Sequence, residues 1–239
     1  TVCGMVFPVL MFPACILFAL AELLIPELAR CAAANSQQRI RYLVKRSLRV
    51  AMLYGLVFAG LMYLLANDLC MALYNSAEAG KYLRLYALLI PMLYCDAITD
   101  AMTKGLGQQK ICVRYNILTS AMDVVFLYLL LPKYGMQGYF FSFLVTHLLN
   151  FILSRRRLMK ITHMKLPLPI PAAGAVCAVC GVWVVSYLSR PVLPAVLYPV
   201  ILMCLLYLGK IIRSEDVRWI KGLVHKKWPA EAGHFHMFT

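Results

Sequence analysis

The chain has 239 residues, of which 62% are hydrophobic and 14% charged, with a formal net charge of +14. An ordinary soluble domain carries roughly 45–50% apolar and 25% charged residues, so this excess does not fit inside a soluble core. The basic residues cluster between long apolar runs and not on an aromatic-bearing soluble face, which argues against a nucleic-acid partner.

A bilayer core of about 30 Å takes roughly 20 apolar residues in a helix, because no water is present there to satisfy the backbone. Seven stretches meet that length, at 5–26, 48–65, 82–103, 111–131, 137–153, 168–188 and 192–212. The predicted fold class is therefore all-α, a polytopic transmembrane helix bundle of about seven spans. Pro13 and Pro91 fall inside the first and third spans, where each removes a backbone donor and can kink the helix. Pro132 closes the fourth span, and Pro132-Lys133-Tyr134-Gly135 reads as a short turn into Gly138 and the fifth. After the seventh span, Val217, Ile220, Leu223 and Val224 recur at helical spacing among basic residues, as in a helix lying at a membrane surface. The organisation expected is thus five spans over 1–165, two more over 166–213, and a basic interfacial helix and tail over 214–239.

Charge at the bends tests this map, since Lys and Arg are retained on the cytoplasmic side of a membrane protein. Six basic residues (Arg30, Arg39, Arg41, Lys45, Arg46 and Arg49) follow the first span, whereas the next bend has only Lys81 and Arg84, balanced by Asp68 and Glu78. The alternation persists to the end of the chain, leaving 20 basic residues on one side and 4 on the other. The N-terminus is expected outside and the C-terminus in the cytoplasm. Because the chain opens with Thr1 and its first apolar run lacks a basic leader and a cleavage site, it is expected to begin neither with a signal peptide nor at a natural start.

No soluble-enzyme motif is present. Gly105-Leu106-Gly107 followed by Lys110 lacks P-loop spacing and a preceding strand, and reads as a bend. Cys177-Ala178-Val179-Cys180 sits in an apolar stretch with no His nearby, so no metal centre is expected, and no cofactor. The nine cysteines read as small hydrophobes.

Ionisable residues inside spans cost about 2.5–3.5 kcal/mol each at a helix centre and so face protein or water. Asp123 is the deepest, either lining a polar cavity or held as a hydrogen-bonded structural group. Asp96 and Asp100 are four apart and share a face with Lys104. Asp100 and Lys104 are expected to form an ion pair at the inner end, with Asp96 deeper and lining a cavity. Glu22 either has a role in the cavity or snorkels to the headgroups. His147 and Asn150 are either members of a proton relay or polar glue between helices. No Arg or Lys falls at mid-span, so an anionic headgroup would meet the basic inner ends or cations from another part of the protein.

The run Phe7-Pro8 to Leu24-Ile25-Pro26-Glu27-Leu28-Ala29 resembles the eighth helix of the sporulation stage V protein B family. Tyr82-Leu83 leading to Ile90-Pro91, Lys104-Gly105-Leu106-Gly107-Gln108, and Leu131-Pro132-Lys133-Tyr134-Gly135-Met136-Gln137-Gly138 are similar to later segments of that family. It belongs to the MATE-like superfamily of multidrug, oligosaccharidyl-lipid and polysaccharide exporters. The resemblance covers about residues 4–162 and implies family helices eight to fourteen: most of a second transporter lobe plus two extra helices, with the first lobe missing from this chain. It further implies alternating access carrying a polyprenyl-linked sugar or cell-wall precursor across the bacterial cytoplasmic membrane, with membrane lipid as the other partner. No cation precedes or follows the Phe7-Pro8 pair, unlike some lipid II flippases, which favours the sporulation or polysaccharide branch. The expected function is that of a flippase and not an enzyme. The alternatives are an H+- or Na+-coupled drug antiporter and a membrane scaffold with no transported substrate.

Overall fold

The structure, a computed structural model, describes residues 2–164, 198–202 and 204. The sixth and seventh predicted spans, apart from that short helical piece, the Cys177–Cys180 motif, the interfacial helix and the tail lie outside the described residues. So do the predicted divisions at 165 and 213.

The described residues are helical throughout: α1 (Val2–Met11), α2 (Ala14–Ala33), α3 (Gln37–Tyr74), α4 (Ala77–Ala87), α5 (Ile90–Gly105) and α6 (Gln109–Thr162). α3 and α6 are each long and apolar enough to cross a membrane, and two bent pairs of helices meet the same length and apolarity when each pair is taken together. α1 and α2 meet at 55° across Pro13, and α4 and α5 meet at 56° just before Pro91. The first and third predicted spans are thus each a broken helix. The missing proline N–H explains why the backbone gives way at these points.

At the first break the freed carbonyls find partners on neighbouring helices. Tyr54 of α3 donates its hydroxyl to the Pro13 carbonyl at 2.7 Å, and buried Tyr94 of α5 donates to the Leu10 carbonyl at 3.1 Å. Such borrowed donors are what let a bent helix persist in hydrocarbon. The second break is held by close approach: a Cβ on Gly55 of α3 would come within 2.7 Å of the Pro91 Cα. Small residues at crossings let backbones meet, the usual packing device where hydrophobicity offers no drive between helices.

α6 is a hairpin. Asp123 and Ser142 are nineteen residues apart yet hydrogen-bonded at 2.6 Å, whereas a straight helix would separate them by about 28 Å. The reversal is at Gly135, whose φ of 55° and ψ of −133° are open to glycine but not to a residue with a side chain. The arms touch near the turn, where a Cβ on Gly138 would meet the Leu130 carbonyl oxygen at 2.6 Å. The fourth and fifth predicted spans therefore appear as an antiparallel pair, and the described residues traverse the bundle five times.

The helices overrun their predicted limits. α3 extends from 37 to 74 where 48–65 was expected, and α2 continues to Ala33. The six basic residues assigned to the first bend lie on helix ends, and the bend itself is only 34–36, with Asn35 in the left-handed region. Lys81 and Arg84 likewise lie on α4, not in a loop. That helix starts at Ser76, whose hydroxyl accepts from the Ala79 N–H. Apolar windows locate what fits in lipid, but a helix continues as far as its backbone bonds allow.

Lateral ties define the two ends of the bundle. At one end Arg39 pairs with Glu27 at 2.7 Å, Arg41 donates to the Thr162 carbonyl at 3.0 Å, and Arg157 donates to Gln108 at 2.6 Å. Every described Lys and Arg lies toward this end except Lys81, Arg84 and Lys133. The core between the ends is formed by α1 to α5 and one face of the second α6 arm. Near the middle of α3, Tyr198 packs on Gly60 and donates to the Leu56 carbonyl at 3.0 Å, so residues 198–202 rest against that helix.

Candidate functional site

The second α6 arm carries polar residues every fourth position, at Ser142, Thr146, Asn150, Ser154 and, two turns on, Thr162. All five are at most 9% exposed. A four-residue step keeps them on one helical face, and that face packs on α5, whose Asp96, Thr99, Asp100 and Thr103 follow the same spacing. The result is a polar seam through an otherwise apolar bundle.

Along this seam the structure brings together most of the residues singled out in the sequence. Asp96 accepts from the Asn150 amide at 3.0 Å. Asp123, on the facing arm, accepts from Ser142 at 2.6 Å, and the Thr146 hydroxyl lies 3.3 Å from the same oxygen. One turn nearer the basic end than Asp96, Asp100 holds Lys104 at 2.7 Å. The seam thus begins under the basic end with the Asp100–Lys104 pair, continues through Asp96 and Asn150, and ends at the Asp123 clasp between the arms.

The hydroxyls on the seam divide into two kinds. Those of Thr99, Thr103, Thr146 and Thr162 donate to the carbonyl one turn earlier in their own helices, at 2.7–2.9 Å, and are satisfied without a ligand. By contrast, Asp96 Oδ1, Asp100 Oδ1, Asn150 Oδ1 and Ser154 Oγ are enclosed and have no hydrogen-bond partner among the described residues. Three of these four are acceptors only. Enclosed acceptors without donors are costly, so this stretch of the seam has spare accepting capacity that water, a proton, a cation or a hydroxyl donor could fill.

The remaining candidates lie elsewhere. His147 is half-buried with its ring 4.1 Å from that of Phe143, one member of an aromatic cluster of Phe7, Tyr86, Tyr139, Phe140 and Phe143. It therefore sits beside the seam and not in it. Glu22 is exposed on α2 and forms no hydrogen bond or ion pair among the described residues, although its charge is near enough to act on Lys104. The glutamate that is engaged is Glu27, which pairs with Arg39 and lies 3.9 Å from Arg30. Sequence reasoning passed over Glu27, Ser142, Thr146 and Ser154. For the three hydroxyl residues, the four-residue polar spacing within an apolar span was the available signal.

No group of three or more His, Cys, Asp or Glu that could hold a metal ion is found among the described residues. Neither a curated protein nor a solved structure matches the chain. The MatE family model matches residues 1–129, more than half of the chain, and so covers α1 to α5 and the first α6 arm with Asp96, Asp100 and Asp123. With that match on an all-helical bundle of membrane-crossing helices threaded by a polar seam, the chain belongs to the MatE family of exporter- and flippase-type membrane transporters.

Proposed function

We propose that this chain is one lobe of a flippase that carries a lipid-linked oligosaccharide or cell-wall precursor across the bacterial cytoplasmic membrane. It works by alternating access with a second helical lobe and catalyses no chemistry of its own. The observation that carries this reading is the position of the seam, whose unfilled acceptors start directly beneath the basic end. A diphosphate-linked sugar has the complementary pattern, an anion for the cations and hydroxyl donors for the acceptors. The exposed apolar side of the first α6 arm offers the lipid tail a hydrocarbon-like surface outside the bundle. In this reading the basic end faces the cytoplasm, and the C-terminus with it.

The test is translocation of a fluorescent polyprenyl-diphosphate sugar by the full-length protein in proteoliposomes. Asp96→Asn is expected to slow transport by about tenfold, the worth of one charge-assisted hydrogen bond. Transport by the intact protein that never exceeds that of empty liposomes would refute the proposal.

A second reading, an H+- or Na+-coupled drug antiporter, is favoured by one specific observation: three carboxylates, Asp100, Asp96 and Asp123, stand at successive depths along a single seam. It predicts cation-gradient-driven dye efflux that Asp123→Asn abolishes, with no lipid translocation at any concentration.

A further inference from the structure

Arg84 lies inside the end of the bundle opposite the basic end, and no acid among the described residues pairs with it. Its depth follows from two contacts. Gly80 packs on Asn67 so closely that a Cβ would meet Asn67 Oδ1 at 2.6 Å, which places these two residues at one level. Arg84 is one turn further along α4 and Tyr63 one turn back along α3, so both lie about 6 Å inside the Asn67–Asp68 level. There the Arg84 guanidinium sits over the Tyr63 ring, 5.4 Å from its centroid. Arg84 forms no ion pair among the described residues, and its enclosed Nε has no hydrogen-bond partner there. The acids of this end, Asp68 and Glu78, are each more than a turn away along their helices.

A half-buried arginine among apolar helices is normally paired with an acid or a hydrogen-bonded oxygen. Here the cation–π seat fixes the guanidinium without neutralising it. The close contact of Gly80 on Asn67 sets the register of α4 on α3 and so brings Arg84 over Tyr63. Planar guanidinium donors match the oxygens of a phosphate ester.

We infer that Arg84, seated on Tyr63, is the contact for a lipid phosphate at the end of the bundle remote from the basic cluster. Two sources share this chemistry, a bilayer phospholipid and the diphosphate of a lipid-linked cargo. The inference needs only membrane residence and stands whichever cargo is transported.

The test uses the full-length protein in uncharged detergent, with affinity measured for dioctanoyl phosphatidylglycerol, farnesyl diphosphate and dioctanoylglycerol. Wild type is expected to bind the two phosphate-bearing probes more tightly than dioctanoylglycerol. Arg84→Gln is expected to weaken phosphate binding by about tenfold and leave dioctanoylglycerol unchanged. Equal weakening for both phosphates identifies a bilayer lipid as occupant, and weakening for farnesyl diphosphate alone identifies the cargo headgroup. Tyr63→Leu, which keeps the charge but removes its seat, is expected to weaken the same probes to a smaller extent. Should Arg84→Gln fail to fold, Tyr63→Leu and the charge-retaining Arg84→Lys decide the matter by the same comparison. Unchanged phosphate affinity in the folded variants, or an equal loss for dioctanoylglycerol, overturns the inference.

Discussion

The two arms of α6 are parts of one apolar stretch, yet they relate to the bundle in opposite ways. The second arm turns Ser142, Thr146, Asn150, Ser154 and Thr162 inward and packs them on α5. The first arm turns Val113, Ile117, Leu118, Val124, Val125, Tyr128 and Leu129 outward, and contributes Asp123 to a clasp with its partner. In water the apolar arm would be the buried one. Lipid removes that drive, and what places a helix inside is instead its ability to approach closely and to satisfy polar groups.

The sharpest break of this contrast is to force the arms apart. Gly138→Leu puts a side chain where the Leu130 backbone already stands, and is expected to cost about 2–3 kcal/mol in detergent unfolding, in the range for overpacking a tight contact. Next come the inward polar groups. Asn150→Leu leaves the Asp96 carboxylate enclosed without its one described donor, an expected loss of about 1–3 kcal/mol. Combined with Asp96→Leu, the loss should shrink, because the orphaned partner is gone; strict additivity in the double-mutant cycle would show that the pair is not coupled. Tyr94→Phe removes the donor to the Leu10 carbonyl at the Pro13 break and should cost about 0.6–1.7 kcal/mol, the scale of hydrogen bonds between membrane helices. The smallest effect belongs to the outward face. Ile117→Ala and Val124→Ala empty no interior space and should stay within about 0.5 kcal/mol of wild type. A loss as large as that of Asn150→Leu would mean that this face is covered by protein.

Much of the fold was legible before the structure. Length and apolarity mark the spans, Pro13 and Pro91 mark the bends, and Pro132 to Gly135 marks the hairpin. The ends were less legible: basic turns such as Gln37 to Arg49 look like loop by hydropathy, but continue α3 by backbone bonding. Within the seam, Asp96, Asp100, Asp123 and Asn150 stand out as polar residues in apolar runs. Which of them meet was not visible, because the partners lie 19 to 54 residues apart. The choice between Glu22 and Glu27 was invisible for the same reason, since it turns on where α3 begins relative to the end of α2.

What the sequence by itself determined was membrane residence, the helical class and the gathering of most cations toward one end of the helices. Each follows from local quantities, namely the apolar length needed to cross lipid and the cost of moving charge through it. Only the tertiary structure decided which polar groups face one another, which acceptors are left without donors and that Arg84 rests on Tyr63. These depend on the rotation of each helix about its axis and on the register between helices, which are set by close packing at positions such as Gly55, Gly80 and Gly138 and have no counterpart in hydropathy.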